Sequence, residues 1–243
     1  MNKLVKKLML VAAMLMLAAG PSFAADAIRI GLMCPLTGKW ASEGQDMQQI
    51  VSLLVSEVNK AGGINGKQIE LIVEDDAGDP RTASLAAQKL ASAGVMAVIG
   101  TYGSAVTEAS QNIIDEAEIM QIATGSTSVR LTEKGLPLFF RTCPRDDEQG
   151  RVASKVIAAK GFKKVAILHD NSAYAKGLAD EAKQRILDKK SADIVFFDAL
   201  VPGERDYSAI LTKIKGVKPD AILFTGYYPE AGLLLRQMQE MQC

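Results

Sequence analysis

The stretch Gln68-Ile69-Glu70-Leu71-Ile72-Val73-Glu74-Asp75-Asp76-Ala77-Gly78-Asp79-Pro80 carries a complete strand-to-helix transition. Residues 68–73 are rich in Ile, Leu and Val and read as a strand. Asp79 then stands directly before Pro80. An Asp side chain caps a helix by accepting from a free N–H of the first turn. Proline suits the first helical position because it has no N–H to lose and its φ is already set. A helix is therefore predicted from 80 through 90. Upstream, residues 28–33 read as a strand. Residues 46–59 place Ile50, Leu53, Leu54 and Val58 at helical spacing, and Ala61-Gly62-Gly63 ends that helix at positions that tolerate left-handed backbone.

The same alternation continues downstream. Strands are predicted at 95–100, 119–123 and 138–141, with a helix at 104–117. After Thr142-Cys143-Pro144 the pattern restarts: helix 147–160, strand 164–169, helix 174–187, strand 192–198, helix 206–215, strand 221–225 and a helix from 229. Strands and helices alternating at this spacing predict an α/β protein with parallel sheets covered on both faces. The break at 141–146 separates two runs of such units, so two neighbouring lobes are expected, with no long linker between them.

Composition narrows the function classes. Lys3, Lys6 and Lys7 precede an apolar run at 8–19. Pro21 and the small residues Ser22 and Ala24 then complete the pattern of an export signal cleaved near Ala24. The apolar run is short for a membrane span, and no Cys stands at the cleavage point to take a lipid. Lys plus Arg and Asp plus Glu balance at 28 each, which gives no electrostatic footprint for nucleic acid or a membrane surface. Aromatics at 5% provide no stacking platform for bases. Cys34, Cys143 and Cys243 lack metal or redox spacing; they read as small buried hydrophobes, with a Cys34–Cys143 disulfide as the other option.

Catalytic and cofactor motifs are missing from the sequence. Gly62-Gly63-Ile64-Asn65-Gly66-Lys67-Gln68 only imitates a phosphate loop. Ala61 replaces the first glycine, Gln68 replaces the Ser/Thr, and the segment enters a strand rather than leaving one. No G-x-G-x-x-G follows the first strand, and no G-x-S-x-G nucleophile elbow occurs, so an exported hydrolase is disfavoured. His169 is the single histidine. Its neighbour Asp170 would point to the opposite face of a strand, which makes a poor proton relay. Asp75, Asp76 and Asp79 do not match calcium-loop spacing. No cofactor, no metal and no enzymatic reaction are expected.

Binding chemistry, in contrast, gathers at strand ends, where parallel sheets take their ligands. Gly100-Thr101-Tyr102-Gly103-Ser104 opens a helix, and Ala123-Thr124-Gly125-Ser126-Thr127 follows a strand. Glycine admits a ligand close to the backbone, hydroxyls donate, and a helix N-terminus adds free N–H groups. Together these suit a small carboxylate. Helix capping is the competing role for Ser104. In the second run, Asp170-Asn171-Ser172-Ala173-Tyr174 and Gly226-Tyr227-Tyr228-Pro229-Glu230 place tyrosines just past strands, where a ring can cover a ligand or pack under a loop.

At these residues a family resemblance becomes specific. The run from Asn59-Lys60-Ala61-Gly62-Gly63-Ile64-Asn65-Gly66-Lys67-Gln68-Ile69-Glu70-Leu71 through Glu74-Asp75-Asp76 to Asp79-Pro80 resembles the leucine/isoleucine/valine-binding proteins, the periplasmic receptors of branched-chain amino acid ABC transporters. Leu36-Thr37-Gly38, Val195-Phe196-Phe197-Asp198, Asp206-Tyr207-Ser208 and the Gly226 segment extend the likeness across the chain. The resemblance implies a type I periplasmic binding protein fold: two doubly wound parallel-sheet lobes joined by a hinge, here with residues 1–24 as signal peptide, 25–143 as N-terminal lobe and 144–243 as a partial second lobe. It implies a monomeric periplasmic receptor that binds a branched-chain or related amino acid between the lobes and delivers it to an inner-membrane ABC permease. A sensor module on the same fold is the rival reading. Ser104 and Thr127, with backbone of Gly125 and Ser126, would hold the α-carboxylate and part of the ammonium; Tyr174 and Tyr227 would close from the second lobe. Trp40 and Tyr102 are weaker candidates, Trp40 because it lies in the first loop, where the family makes side-chain contacts. Some relatives carry a disulfide where this chain has Gly78 and Gly103, and an aromatic ligand contact of some members falls at Glu43. Relatives also continue past the position of Cys243, so the fold is expected to be incomplete at its C-terminus and the acid that pairs with the ammonium to lie beyond Cys243.

Overall fold

The computed structural model describes residues 27–242; the predicted leader and Cys243 lie outside that range. The first half runs β1 (Ile28–Cys34), α1 (Ala41–Lys60), β2 (Ile69–Asp75), α2 (Pro80–Ser92), β3 (Ala97–Ile99), α3 (Ser104–Glu116), β4 (Met120–Ala123), α4 (Arg130–Glu133) and β5 (Phe139–Arg141). Its strands pair in parallel in the order β2-β1-β3-β4-β5. The second half runs α5 (Asp146–Lys160), β6 (Lys164–His169), α6 (Ala173–Asp188), β7 (Asp193–Ala199), α7 (Ser208–Val217), β8 (Ala221–Thr225) and α8 (Tyr228–Glu240). Its strands pair in parallel as β7-β6-β8.

Asp79 caps α2 as its sequence predicts, accepting from Thr82 N at 2.8 Å with Pro80 at the helix start. The small residues Ala83, Ala86 and Ala87 let α2 settle on β1, where Gly31 leaves room for Leu90; a Cβ there would stand 3.1 Å from the leucine. Leu90, Met33, Val98 and Ile114 form the core of this half. In the second half β6 is central, and Val165, Ala166, Ile167 and Leu168 are buried on both faces.

Several elements depart from the sequence expectation. Helix α1 begins at Ala41, five residues early, and Gly44 is its one buried position. Ile50, Leu53 and Leu54, read as a core face, are exposed among the described residues. Strand β3 is shorter than predicted because Gly100 turns the chain at φ 112°. Helix α4 has no periodic signal because it is a single turn. Apolar grooves of about 430 and 260 Å³ lie on either side of β8, lined by Val152, Leu178 and Leu223 on one side and by Leu168, Leu234 and Leu235 on the other.

In each sheet the chain leaves the middle strand for one neighbour and returns on the other side: β1 lies between β2 and β3, and β6 between β7 and β8. This crossing point leaves a crevice at the carboxyl ends of the strands. The loops after β1, β3, β4, β6 and β8 therefore share the space between the halves.

Gly44 is a sharp test of how α1 meets the loop after β1. Alanine in a helix interior normally stabilises by about 0.5–1 kcal/mol over glycine. Here a Cβ would lie 2.0 Å from Pro35 O. Gly44→Ala is expected to cost about 2 kcal/mol or more by overpacking, read as a lowered urea midpoint; a stabilised variant would show that the loop yields freely.

Candidate functional site

The first wall of the crevice is built from hydroxyls. The loops after β3 and β4 are tied together by Thr101, Thr107 and Ser126, all fully buried, whose hydroxyls form a connected chain. Ser126 Oγ also reaches the carbonyls of Thr101 and Tyr102, each at 3.2 Å. Ser126 thus turns its side chain inward, leaving only its backbone for the crevice. Gly125 spends its N–H on Thr101 O at 3.3 Å, and its missing Cβ makes room for the Tyr102 ring, 2.8 Å away. Ser104 is the first residue of α3, but Gly103 occupies the cap position. The Ser104 hydroxyl instead accepts from Ser128 N at 3.1 Å, which bridges the two loops and leaves its hydrogen to donate. Thr127 Oγ1 is buried beside the Asp146 carboxyl, and Thr127 O accepts from Asp146 N at 2.9 Å.

Four aromatic rings fill the middle. Trp40, from the loop after β1, and Tyr227, at the start of α8, pack across the halves with ring centres 4.1 Å apart. Tyr102 meets Trp40 edge-on at 5.6 Å, and Tyr174, in the first turn of α6, lies 5.3 Å from Tyr227. Trp40 is lodged against Gly78 and Gly103: Cβ atoms at these glycines would fall 2.6 and 2.8 Å from its ring. These are the two positions where the resemblance sets a disulfide in some relatives, and here an indole occupies the space between them. Lys39 Nζ lies 4.5 Å from the centre of the Trp40 ring. At the rim, Tyr228 Oη bonds Ser42 Oγ at 2.7 Å and Lys39 O at 3.2 Å, from one half to the other.

The second wall is acidic. Asp146, at the start of α5, is buried; Oδ1 accepts from Gln149 at 3.3 Å, while Oδ2 has no partner. Burial pushes its carboxyl up to about 6, against the pull of neighbouring Thr127 and Arg141. Asp170 is also buried, and its Oδ1 accepts from Ser172 N at 2.9 Å. Burial, then the charges of Asp146 and Asp170, raise the Tyr174 phenol; burial and the charge of Asp170 also raise that of Tyr227. Burial and the charge of Glu43 push Tyr102 up to about 12. Asp146, Ser128, Ser172 and Gly177 line a cavity of about 400 Å³ between the halves.

Trp40, Tyr102, Tyr174 and Tyr227 thus form one aromatic cluster, while Ser104 Oγ accepts from Ser128 N and Thr127 O accepts from Asp146 N at 2.9 Å beside the cavity that Ser128 and Asp146 line; the Gly125 N–H and Ser126 Oγ are spent within the first half. Asp146 was not anticipated as a site residue. It opens the run Asp146-Asp147-Glu148, where three acids in a first turn read as partners of the helix dipole. Other candidates have local roles. His169 Nδ1 accepts from Asn171 N at 3.0 Å and its ring packs near Phe197; burial lowers its pKa. Asp75 accepts from Leu36, Thr37 and Ala77, which fixes the loop after β1. Glu230 accepts from Gly203 N at 3.2 Å. Among the described residues, no three His, Cys, Asp or Glu side chains converge as metal ligands. Cys34 and Cys143 carry free thiols, and burial pushes Cys34 up to about 12.

The family model described as "Periplasmic binding protein" matches residues 27–242. The Leu/Ile/Val-binding protein BraC3 of Rhizobium johnstonii is 40% identical over 227 residues, covering 93% of this chain and 61% of the relative. The leucine-, isoleucine-, valine-, threonine-, and alanine-binding protein of Pseudomonas aeruginosa is 38% identical over 224 residues, 91% of this chain and 60% of the relative. The chain thus spans about three fifths of the length of these relatives. Among solved structures, the substrate-binding protein LivJ of the branched-chain amino acid transporter of Streptococcus pneumoniae, in complex with isoleucine, superposes with a TM-score of 0.81 at 35% identity, covering 89% of this chain and 62% of LivJ.

Trp40 is the single tryptophan, so indole fluorescence reports this crevice alone. A blue-shifted emission is expected from the buried ring, and Tyr227→Ala should shift it red and expose it to acrylamide quenching. Emission resembling free tryptophan in the parent protein would contradict the packing of these rings.

Proposed function

The chain belongs to the periplasmic binding protein family, and from that premise we propose that it serves as a periplasmic receptor for a branched-chain or related amino acid. The solute is held between the halves and presented to an inner-membrane ABC permease, without chemical change. The single observation that carries this reading is the juxtaposition of a hydroxyl-rich helix start with a buried carboxylate: Ser104 Oγ accepts from Ser128 N, and Ser128 and Asp146 line one cavity. One wall offers hydroxyls and a helix N-terminus, and the other offers buried carboxylates. The two are neighbours, since Asp146 N donates to Thr127 O at 2.9 Å, so a zwitterion would lie along their shared edge with its carboxylate toward Ser104 and its ammonium toward Asp146.

A buried polar atom without a partner supports the reading. An unpaired buried acceptor costs about 1–3 kcal/mol, and a ligand that donates to Asp146 Oδ2 recovers that cost. Asp146 is the buried acid within the described residues that this reading sets toward the ammonium. The aromatic rings contribute a water-excluding cover, in which each polar contact strengthens.

Calorimetry with L-leucine, L-isoleucine and L-valine tests the proposal. Ser104→Ala is expected to weaken binding about ten-fold or more, since a hydrogen bond to a charged group is worth about 1.5–3 kcal/mol; unchanged affinity would remove Ser104 from the site.

The pH dependence follows from Asp146. Its folded-state value of about 6 lies above that of an ordinary carboxyl, so in the free protein the ionised form is the costly one and protonation relieves it. A bound ammonium needs the ionised form. Affinity is therefore expected to fall as pH drops through about 6, and Asp146→Asn to bind weakly with a flatter profile. An identical pH profile in Asp146→Asn would assign the titration to another group.

A further inference from the structure

Arg141 ends β5, behind the loop that carries Thr127. Its Nη1 donates to the carbonyls of Ser126 at 3.1 Å and Ser128 at 2.9 Å, and its Nη2 donates to Thr132 Oγ1 at 2.9 Å. The two carbonyls flank Thr127. In a planar trans peptide the C=O and the following N–H point in opposite directions. Binding the Ser126 carbonyl therefore aims the Thr127 N–H away from the guanidinium, and binding the Ser128 carbonyl holds the other side of the same residue. The next link also stands: Ser128 N donates to Ser104 Oγ, so the fork, the Thr127 segment and Ser104 form one hydrogen-bonded series.

The charge is as informative as the geometry. Arg141 takes part in none of the ion pairs among the described residues, while Arg145, four positions on, pairs with Asp147 and Glu133. Asp146 and Asp147 lie within electrostatic reach of Arg141, but their hydrogen bonds go to Gln149 and Arg145. Arg141 is partly buried, and its Nε has no partner. A cation held there on two carbonyls and a hydroxyl is costly to bury unless its charge meets a negative group.

We propose that Arg141 is the positioning residue of the carboxylate seat: its guanidinium fixes the backbone on both sides of Thr127 and lends positive charge from behind to a bound carboxylate. This rests on the reading of the Ser104–Thr127 wall as that seat. Lysine would keep the charge but lose the two-carbonyl fork.

The test compares L-leucine with L-leucinamide, which keeps the ammonium and side chain but carries no negative charge. Affinities are measured for the parent chain, Arg141→Lys, Arg141→Met and Thr132→Val, with a thermal melt of each. Arg141→Met is expected to lose about ten-fold in leucine affinity and Arg141→Lys about three-fold, with a clearly smaller loss for leucinamide in both, which reflects only the pull of Arg141 on the Asp146 carboxyl. Thr132→Val removes the anchor of Nη2 in a side chain of the same shape. Its expected loss is about two-fold for leucine alone, and it decides the matter if the Arg141 variants do not fold. A role confined to folding would weaken both ligands in proportion. Proportional losses, or no loss in any variant, overturn the positioning role and leave the seat standing. A parent chain that binds leucinamide as tightly as leucine, or binds neither, overturns the seat, and the proposal falls with it.

Discussion

Tyr227 of the second half packs on Trp40 of the first, and the crevice is organised around that pair. Its members are held by different means. Trp40 is wedged in place by its own half, because Gly78 and Gly103 present no Cβ to its ring. Tyr227 is placed by the start of α8, directly after the buried end of β8. Such a ring pair contributes about 0.5–1.5 kcal/mol beyond the area it buries. Tyr102 and Tyr174 join it from opposite halves, and Tyr228 adds a hydrogen bond to Ser42 at the rim. Moving the halves apart must unstack these rings and wet them.

Exclusion of water gives the polar groups their strength. The hydroxyl chain of Thr101, Thr107 and Ser126 does not face the crevice. It locks two loops so that Ser104 and Thr127 hold a fixed spacing, and pre-set geometry reduces the ordering cost of binding. The opposite wall works by charge. Asp146 and Asp170 sit at the ends of their elements, where the low local dielectric makes an unpaired carboxylate expensive and a paired one strong.

Small residues set the limits of the architecture. Gly31, Gly44 and Gly100 each let another segment approach closer than a Cβ allows. Where the described residues leave apolar surface uncovered, along α1 at Ile50, Leu53 and Leu54 and beside β8, packing contributes less to stability. The β1–β3 region, covered by α2 and α3, is by contrast closely packed, and the loop after β3 carries part of the first wall.

The sequence by itself determined the order of strands and helices, because each has a local cause: apolar runs for the strands, Asp79-Pro80 for the start of α2, Gly161 in left-handed conformation for the end of α5. It also determined the chemistry of the strand-end loops, since Ser, Thr, Gly and Tyr cluster there within a few residues. The burial of α1 was not legible, because periodicity records which face is apolar and not whether anything covers it. Ser104 was legible as a hydroxyl at a helix start, but only the fold decides that it bridges to Ser128 rather than capping its helix. Asp146, Arg141 and Thr107 gave no local signal of a role in the site. An acid in a first turn, an arginine at a strand end and a threonine inside a helix are ordinary in a linear reading; Thr107 acquires its place from Ser126 and Asp146 from Thr127, each 19 residues away in the chain, and Arg141 from carbonyls on both sides of one loop residue. Long-range approach of that kind is set by sheet order and helix packing, which no local pattern encodes.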